Sequence, residues 1–213
     1  LSVPNGKSQK KLLTQVLKSS GLKAADVDYI EAHGTGTSIG DPIEINAINE
    51  VYGGSHYKSS PLYVSSVKAN IGHLEAAAGV AGLIKLTKCL QNKTIPPHIN
   101  MKNLNPAIDL DTVPLEIPSK LTKLSSDKEA VAAISSFGFS GVNGHMVIQK
   151  IQKPQIPHSN QFKLLLSSKD DSSFELVKRN YLQFLKKSKE DFGDICSATW
   201  FGRTTKKFCQ VFE

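Results

Sequence analysis

Cysteine is scarce in this chain, and its placement is typical of neither a disulfide scaffold nor a zinc site. The 213 residues include three cysteines, and Cys89, Cys196 and Cys209 form no C-x-x-C pair. An odd number of scattered thiols does not predict a disulfide framework, and their spacing does not match a zinc knuckle. We therefore expect structural roles for all three, and the composition favours a reducing cytoplasm.

Long hydrophobic runs are also missing. No segment approaches the roughly 20 consecutive apolar residues that cross a bilayer, and the opening sequence LSVPNGKSQKKLL has no apolar stretch of a secretory signal. We therefore expect no membrane partner. The chain starts without methionine and with the turn signal Pro4-Asn5-Gly6, which predicts that another segment precedes it.

Aromatic residues are few, at 7% with a single tryptophan, and they are not interleaved with the basic residues. The chain has 26 lysine and arginine residues against 19 aspartate and glutamate residues, a formal charge of +7. Nucleic-acid platforms combine positive charge with stacking aromatics. The spread lysines therefore predict solvated faces first, an acidic protein partner second, and no nucleic acid.

Two successive strand, loop and helix units occupy the first half of the chain, after a helix expected from a Ser8 cap to Gly21. The first has the strand-like VDYIEAH, the turn GTGTSIG and the helical pattern DPIEINAINEVYG, with Asp41 as the expected N-cap. The second places LYVSSVKAN as a strand before a helix that continues to about Gln91. This order predicts an α/β fold.

The second half of the chain contains smaller elements. Residues 92–120 are predicted to be loop with one short edge strand at VPLEIP, whereas EAVAAISSFGF and GHMVIQKI predict a hairpin. Residues 152–161 have the composition of a linker. After them, residues 162–213 alternate strand, helix, helix and strand, as in a small α+β module. We therefore predict domains at residues 1–151 and 162–213.

His33 ends the first predicted strand, so its ring is expected at the carboxyl edge of a sheet, the usual ligand site of α/β folds. The turn after it supplies glycines that allow close backbone approach and the hydroxyls of Thr35 and Thr37. The absence of a Gly-Lys-Ser/Thr sequence argues against a phosphate-binding loop. Taken alone, His33 fits either a ligand site or a hydrogen-bonded core histidine.

His73 stands in a parallel context, after a strand and Gly72 and at the start of the second helix. The positive end of a helix lowers imidazole basicity, so a neutral ring is expected there, with Lys68 as a nearby charge or donor. The helix is dominated by alanine and glycine. Because a helical glycine costs about 1 kcal/mol relative to alanine, Gly79 and Gly82 indicate that neighbouring elements approach the backbone closely.

Three segments resemble the signatures of one enzyme family: VDYIEAHGTGTSIGDPIE, SVKANIGHLEAAAGVAGLIK and ISSFGFSGVNGH. They are similar, in order and spacing, to the carboxyl-terminal half of a β-ketoacyl synthase (ketosynthase) domain of a modular type I polyketide synthase. The resemblance covers residues 1–151 and implies the carboxyl-terminal half of the layered αβαβα, thiolase-like fold. Residues 162–213 resemble the linker domain between a ketosynthase and an acyltransferase, through LLLSSK and ATWFGRT.

The resemblance implies roles for the residues around both histidines. His33 and His73 match the two histidines that bind the malonyl thioester carbonyl and assist its decarboxylation, and Lys68 matches the lysine that supports the second histidine. Thr35 and Thr37 match residues that contact a phosphopantetheine arm. No metal ligand is implied.

A further element implied by the resemblance is an aromatic gate. Phe139 matches the gating residue whose backbone N–H completes an oxyanion hole, with Gly138 beside it. His145 ends the hairpin as in the family and is expected to be structural. The remaining three histidines are expected in exposed loops: His56, His98 and His158.

The implied reaction is a decarboxylative Claisen condensation, in which a malonyl-type unit extends an acyl chain held on a cysteine. Two neutral imidazole donors would stabilise the enolate. The nucleophilic cysteine is expected ahead of residue 1, so this chain alone is expected to be inactive. The implied partners are the missing amino-terminal half, an acyl carrier protein with its phosphopantetheine, an acyltransferase domain in cis or in trans, and a second copy in a homodimer. No bound cofactor is expected.

Three alternatives stay open at this point. The same chemistry would serve a fatty acid synthase. The chain could also be a non-catalytic docking or scaffold segment, which its basic tail favours because carrier proteins are commonly acidic. Metal-dependent hydrolysis by His33, Asp41 and His73 fits the residue types, but these residues lack the i, i+4 spacing of common zinc helices, and this alternative is disfavoured.

Overall fold

The structure is a computed structural model that describes residues 4–124, 129–139, 141–150 and 162–212. It divides into two compact units, residues 1–151 and 152–213. The linker expected at residues 152–161 lies outside the described residues. The helices are α1 (Gly6–Ser20), α2 (Gly40–Tyr52), α3 (Lys68–Ile71), α4 (Ala78–Asn92), α5 (Asp171–Lys187) and α6 (Phe192–Phe201). The strands are β1 (Val27–Glu31), β2 (Leu62–Ser65), β3 (Thr94–Ile95), β4 (Leu115–Glu116), β5 (Thr122–Lys123), β6 (Val131–Phe137), β7 (Asn143–Gln149), β8 (Leu164–Ser168) and β9 (Phe208–Phe212).

A five-stranded sheet forms the centre of the first unit. Its strand order is β4-β2-β1-β6-β7. The first four strands are parallel, and β7 pairs antiparallel with β6 as the predicted hairpin. Parallel neighbours need crossover connections, which α2 provides between β1 and β2. The order of the two predicted strand, loop and helix units is therefore confirmed. The second strand is shorter than predicted, since it ends at Ser65 and residues 68–71 form α3.

Helices cover both faces of this sheet. Ile30 of β1 packs in one core with Leu13 of α1 and Ile48 of α2, whereas Tyr29 packs in another with Leu86 of α4. Successive strand residues point to opposite faces, so the alternation along β1 assigns one helical layer to each side. The first unit is an α/β arrangement of helices, sheet and helix.

Helix α4 lies close to the sheet because two of its residues have no side chain. A Cβ on Gly82 would lie 2.9 Å from Cδ1 of Ile134, and a Cβ on Gly79 would lie 3.2 Å from Oγ of Ser136. Real Cβ atoms rarely pack so tightly, so alanine at either position would require the facing side chain, or the helix itself, to move. The close approach expected from the small residues is present.

The helix caps differ from those expected. The N-cap of α1 is Asn5, whose side chain accepts the Ser8 N–H at 3.0 Å, so Ser8 is the partner of the cap rather than the cap. Helix α2 begins at Gly40, which places Asp41 inside the first turn. The Asp41 carboxylate accepts the Gly36 N–H at 3.1 Å, because the turn before α2 folds back over the first residues of the helix.

The second unit is a two-stranded antiparallel sheet of β8 and β9 that packs against α5 and α6. The strand, helix, helix and strand order predicted for this segment is confirmed. Asp170 caps α5 by accepting the Ser173 N–H at 2.8 Å. Among the helices of the described residues, none is long and apolar enough to cross a membrane.

Candidate active site

His33 and His73 lie next to each other, although 40 positions separate them in the chain. Their ring centroids are 5.5 Å apart, and the ring planes are nearly perpendicular at 85°. The parallel pairing of β1 with β2 sets Glu31 opposite Ser65, so both chains leave the sheet at the same edge. The two histidine turns therefore meet at the carboxyl edge of neighbouring strands, where α/β folds usually bind ligands.

Each imidazole accepts a backbone N–H at Nδ1. His33 accepts from Phe137 at 3.3 Å, and His73 accepts from Glu75 at 2.9 Å. An accepting ring nitrogen carries no proton, so the proton of each neutral ring lies on Nε2. Both histidines can therefore offer an Nε2–H donor to a ligand.

The environment of His33 favours its neutral form. Burial lowers the pKa of His33 to about 4, and the charge of Lys68 and the neighbouring His73 lower it as well. The ring of Phe137 lies 5.5 Å away and adds an apolar contact. At pH 7 the His33 imidazole is therefore uncharged, because the fold removes it from water beside a cation.

His73 is not on the first turn of a long helix, as the sequence suggested. The short helix α3 ends at Ile71, a 3₁₀ turn covers Glu75–Ala77, and α4 begins only at Ala78. Residues 71–77 are all exposed. The expectation that His73 stands at the start of the long helix, where the helix dipole would tune it, is therefore wrong, since Leu74 and the 3₁₀ turn separate His73 from α4.

A buried carboxylate on α2 fixes the His33 turn. Glu44 accepts the backbone N–H groups of His33 at 2.8 Å and of Gly34 at 2.9 Å. Burial raises the pKa of Glu44 to about 7, although the two N–H donors lower it. Sequence reasoning did not select Glu44. The available signal was an acidic residue within a helical stripe that is otherwise apolar.

Gly34 is required by this turn on two grounds. Its φ is +45°, a conformation that favours glycine. A Cβ at this position would also lie 2.8 Å from Cβ of Ser66, in the turn that leads to His73. Only glycine lets the two turns approach each other at this point.

Lys68 is the first residue of α3 and lies half-buried beside the histidines. Burial lowers the pKa of Lys68, whereas the carboxylates of Glu31, Glu44 and Asp41 raise it. Two opposing effects therefore act on the pKa of Lys68. Its charge acts on His33, whose pKa it lowers.

Thr35 and Thr37 lie on the outer part of the His33 turn. The Thr37 hydroxyl accepts the Gly40 N–H at 3.0 Å and lies 3.5 Å from the Thr35 hydroxyl. Thr37 is exposed and Thr35 is half-buried. Both hydroxyls are thus near the solvent end of the site.

Phe139 lies in the turn of the β6–β7 hairpin, with its side chain 93% exposed. The aromatic ring that contacts His33 belongs to Phe137, two residues earlier. The Gly138 N–H donates to the Val142 carbonyl at 2.7 Å. The structure thus brings His33, His73 and Phe137 together and turns Phe139 outward.

His145 is half-buried and hydrogen-bonded within the fold, which fits the structural role expected of it. Its ring lies 2.9 Å from the Tyr52 hydroxyl and 3.0 Å from Oγ of Ser135, and burial lowers its pKa to about 4. The expected exposure of His56 and His98 is wrong, since both are half-buried. His56 lies within 3.0 Å of the carbonyls of Tyr52 and Val27, and His98 Nδ1 accepts the Ser66 N–H at 3.4 Å. His158 lies outside the described residues.

The three cysteines do not resemble an activated nucleophile. Cys89 is buried on α4, and burial raises its pKa to about 11. Burial also raises the pKa of Cys196, and Cys209 is exposed on β9. Reactive thiols need a lowered pKa. Within the part of the chain that the structure describes, no group of three or more His, Cys, Asp or Glu residues could hold a metal ion.

Two protein families match this chain. The family described as beta-ketoacyl synthase, C-terminal domain, matches residues 1–102, and the ketoacyl-synthetase C-terminal extension matches residues 105–197. A non-reducing polyketide synthase, ascC of Acremonium egyptiacum, is 41% identical over 90% of this chain and 9% of its own length. Erythronolide synthase EryA3 of Saccharopolyspora erythraea is 36% identical over 81% of this chain and 6% of its own length. The chain therefore spans less than a tenth of these relatives.

Solved ketosynthases share the fold. The ketosynthase from module 6 of the bacillaene synthase of Bacillus subtilis 168 matches with a TM-score of 0.67 and 31% identity, over 99% of this chain and 37% of that one. Ketosynthase twelve of the bacillaene polyketide synthase in Bacillus amyloliquefaciens matches with a TM-score of 0.66 and 32% identity, over the same shares. The first unit thus has part of the thiolase-like fold of these enzymes. The chain belongs to the β-ketoacyl synthase family and contains the C-terminal domain and the C-terminal extension of such an enzyme.

Proposed function

We propose that this chain supplies the two-histidine half of a ketosynthase site in a polyketide synthase, which catalyses decarboxylative Claisen condensation. The observation that carries the proposal is the pair of adjacent imidazoles, each with Nδ1 occupied by a backbone N–H. This arrangement leaves the Nε2–H of His33 and of His73 as donors for one substrate oxygen.

The chemistry requires such donors. When a malonyl thioester loses carbon dioxide, the bond between Cα and the carboxylate breaks, and its electron pair moves onto the thioester oxygen as an enolate. Fixed N–H donors stabilise that charge as it develops. The enolate carbon then attacks the carbonyl of an acyl chain on cysteine, a new carbon–carbon bond forms, and the cysteine thiolate leaves.

The nucleophile comes from the part of the ketosynthase outside this chain. Cys89 has a raised pKa and is buried on α4, and the other two cysteines belong to the second unit. The chain matches 37% of a solved ketosynthase chain. Most of such a chain therefore has no counterpart here, and we assign the cysteine to that part. The proposal therefore assigns catalysis to the complete domain and no activity to this chain alone.

The remaining roles follow from the same proposal. Thr35 and Thr37 contact the phosphopantetheine arm of an acyl carrier protein, because their hydroxyls lie near the open end of the site. Phe139 acts as the gate and offers its backbone N–H to the oxyanion, since the Gly138 N–H is already bonded to Val142. An acyltransferase domain supplies the extender unit, and the complete enzyme is a cytoplasmic homodimer.

The test uses the complete ketosynthase-containing protein with His33→Ala and His73→Ala variants. We expect each to decarboxylate malonyl-carrier protein about 10²- to 10³-fold more slowly, the usual cost of removing one donor to a developing oxyanion. Self-acylation from an acyl thioester serves as the control, since it reports an intact fold and cysteine. Undiminished decarboxylation by His73→Ala would refute the proposal.

A further inference from the structure

Glu31 of β1, two residues before His33, forms a buried ion pair with Lys85 of α4. Nζ of Lys85 lies 2.8 Å from Oε2 of Glu31, and their side chains are 13% and 2% exposed. Gly82 has no side chain, which lets the helix pass close to the carboxylate. A Cβ at this position would lie only 3.2 Å from Cγ of Glu31. Buried charges cost several kcal/mol each unless other groups also bond to them.

Tyr29 and Ser65 supply those additional bonds. The Tyr29 hydroxyl donates to the Glu31 carboxylate, and Oγ of Ser65 lies 2.8 Å from both the Tyr29 hydroxyl and Nζ of Lys85. Burial and the charge of Glu31 raise the pKa of Tyr29 far above its ordinary value, so the phenol remains a donor. The closed network fixes the orientation of the Glu31 carboxylate.

Glu31 also contacts the segment that leads to His73. Its Oε1 accepts the backbone N–H of Val67, the residue directly before α3. On the adjacent residue, the Ser66 N–H donates to Nδ1 of His98 at 3.4 Å. The Glu31 carboxylate therefore anchors the start of α3 to β1. The four-residue helix α3 then links this anchored end to the turn that contains His73.

The charge of Glu31 acts on Lys68 as well. Burial lowers the pKa of Lys68, and the carboxylates of Glu31, Glu44 and Asp41 oppose that effect. Removing the charge of Glu31 would therefore favour the neutral amine. Since the Lys68 charge helps to keep His33 neutral, the carboxylate influences both histidines, one through backbone position and the other through charge.

We propose that Glu31 and Lys85 form a positioning pair for the condensation site. Glu31 holds α3, and with it His73, in place through the Val67 N–H, while Lys85 and Tyr29 fix the orientation of the Glu31 carboxylate. Neither residue contacts substrate. The inference rests on the proposed function for its catalytic readout, whereas its structural readout depends only on the contact between Glu31 and Val67.

The experiment uses the complete ketosynthase-containing protein with Glu31→Gln, Lys85→Met and the double variant. Glu31→Gln should lower kcat for malonyl-carrier decarboxylation about 10- to 100-fold with little change in KM, as loss of a supporting contact does. Lys88→Met, on the exposed side of α4, is the matched control and should behave as wild type.

The double variant guards against a simple folding defect. It removes both buried charges at once, so it should be more stable than either single variant and still have the low kcat. If Glu31→Gln does not fold, the double variant takes its place in every comparison. A folded variant without Glu31 that keeps the wild-type kcat would overturn the inference.

Hydrogen exchange of the backbone amides from 67 to 73 provides a readout independent of activity. We expect faster exchange there in Glu31→Ala, which removes the acceptor of the Val67 N–H, and unchanged exchange in Lys88→Met. Wild-type exchange in Glu31→Ala would overturn the positioning inference whatever the activity. Full decarboxylation by His73→Ala would instead overturn the proposed function, so the two failures are distinguishable.

Discussion

The two histidine turns lie side by side but are held in place differently. The His33 turn is tied to α2 by two hydrogen bonds from backbone N–H groups to Glu44, and its ring packs against Phe137. The His73 turn is exposed from residue 71 to 77. Its ring is supported by a local hydrogen bond from Glu75.

This difference shows that similar sequence contexts can produce unlike environments. The first unit itself makes His33 neutral, because burial and Lys68 act on it directly. Beside His73, the apolar side chains of Ile71 and Leu74 are 52% and 42% exposed. Exposed apolar groups of this kind are typical of a surface that another segment covers. We therefore expect the rest of the ketosynthase to complete the surroundings of His73.

The largest expected effect comes from removing the anchor of the first turn. Glu44→Ala leaves two N–H groups without their acceptor, so unfolding of the first unit should become easier by about 3 kcal/mol. Glu50→Ala is the matched control on the same helix, since Glu50 forms an exposed pair with Lys10 and should cost less than about 1 kcal/mol. Denaturant unfolding measures both. Equal losses would contradict the anchoring role of Glu44.

Alanine at the glycine of each turn compares their packing directly. Gly34 and Gly72 have φ values of +45° and +71°, but an added Cβ meets Ser66 only at Gly34. Gly72 has a ψ of −169°, a conformation that essentially only glycine adopts, so Gly72→Ala should cost about 1 to 3 kcal/mol from backbone strain alone. Gly34→Ala should cost more, because a clash with Ser66 is added. Thermal unfolding of the two variants tests this order, and the reverse order would exclude close packing between the turns.

Acid should weaken the first turn through His33. Its pKa of about 4 in the fold lies below its ordinary value of 6.5, so the unfolded chain binds more protons between these values and stability falls as pH falls from 6.5 to 4. His33→Asn keeps an acceptor for the Phe137 N–H without titrating. After allowance for solvent screening, wild type should lose about 1 to 2 kcal/mol more than the variant over this range.

Two other groups contribute to the same pH range. His145, with a pKa of about 4, adds to the acid sensitivity with the same sign. Glu44, with a pKa of about 7, acts oppositely, because its protonated form is favoured in the fold and its contribution is lost as pH rises from 4.5 to 7. The contributions of His145 and Glu44 are present in both wild type and His33→Asn. They cancel when the change in unfolding free energy between pH 6.5 and pH 4 is subtracted between the two proteins. Parallel pH profiles would contradict the assignment to His33.

The smallest expected effect concerns strain in the second turn. Glu75 has a φ of +50°, which a side chain disfavours. Glu75→Gly should relieve this strain and stabilise the first unit by about 0.5 to 1 kcal/mol, whereas Glu75→Ala keeps the Cβ and should not stabilise it. Amide exchange at residues 73–77 measures the difference. Stabilisation by both variants would place the effect in the side chain.

Much of the fold could be predicted from local sequence. The strand-like residues of VDYIE, the proline at the start of α2 and the paired strands around Gly141 each specify an element through nearby residues. The start of α4 could not be predicted, because the alanine-rich stretch after His73 has helical propensity throughout. The conformation of Gly72 and Glu75, which only the folded chain determines, delays that helix to Ala78.

The site was only partly predictable for a related reason. His33, His73 and Lys68 carry recognisable chemistry in a recognisable order, so residue types alone drew attention to them. Glu31, Glu44 and His98 were passed over, because their importance lies in being buried against particular backbone N–H groups. Burial of a charged residue depends on which faces of strands and helices meet, and that information is spread over distant segments.

By itself, therefore, the sequence of this chain determined its α/β order, its family signatures and the identities of the two histidines. The tertiary structure alone decided that the rings lie 5.5 Å apart, that both present Nε2–H, and that His33 is half-buried while His73 is exposed. The physical reason is that strand alternation and helix caps arise from neighbours in sequence. Ring tautomer, pKa and the buried Glu31–Lys85 pair arise from groups brought together by folding.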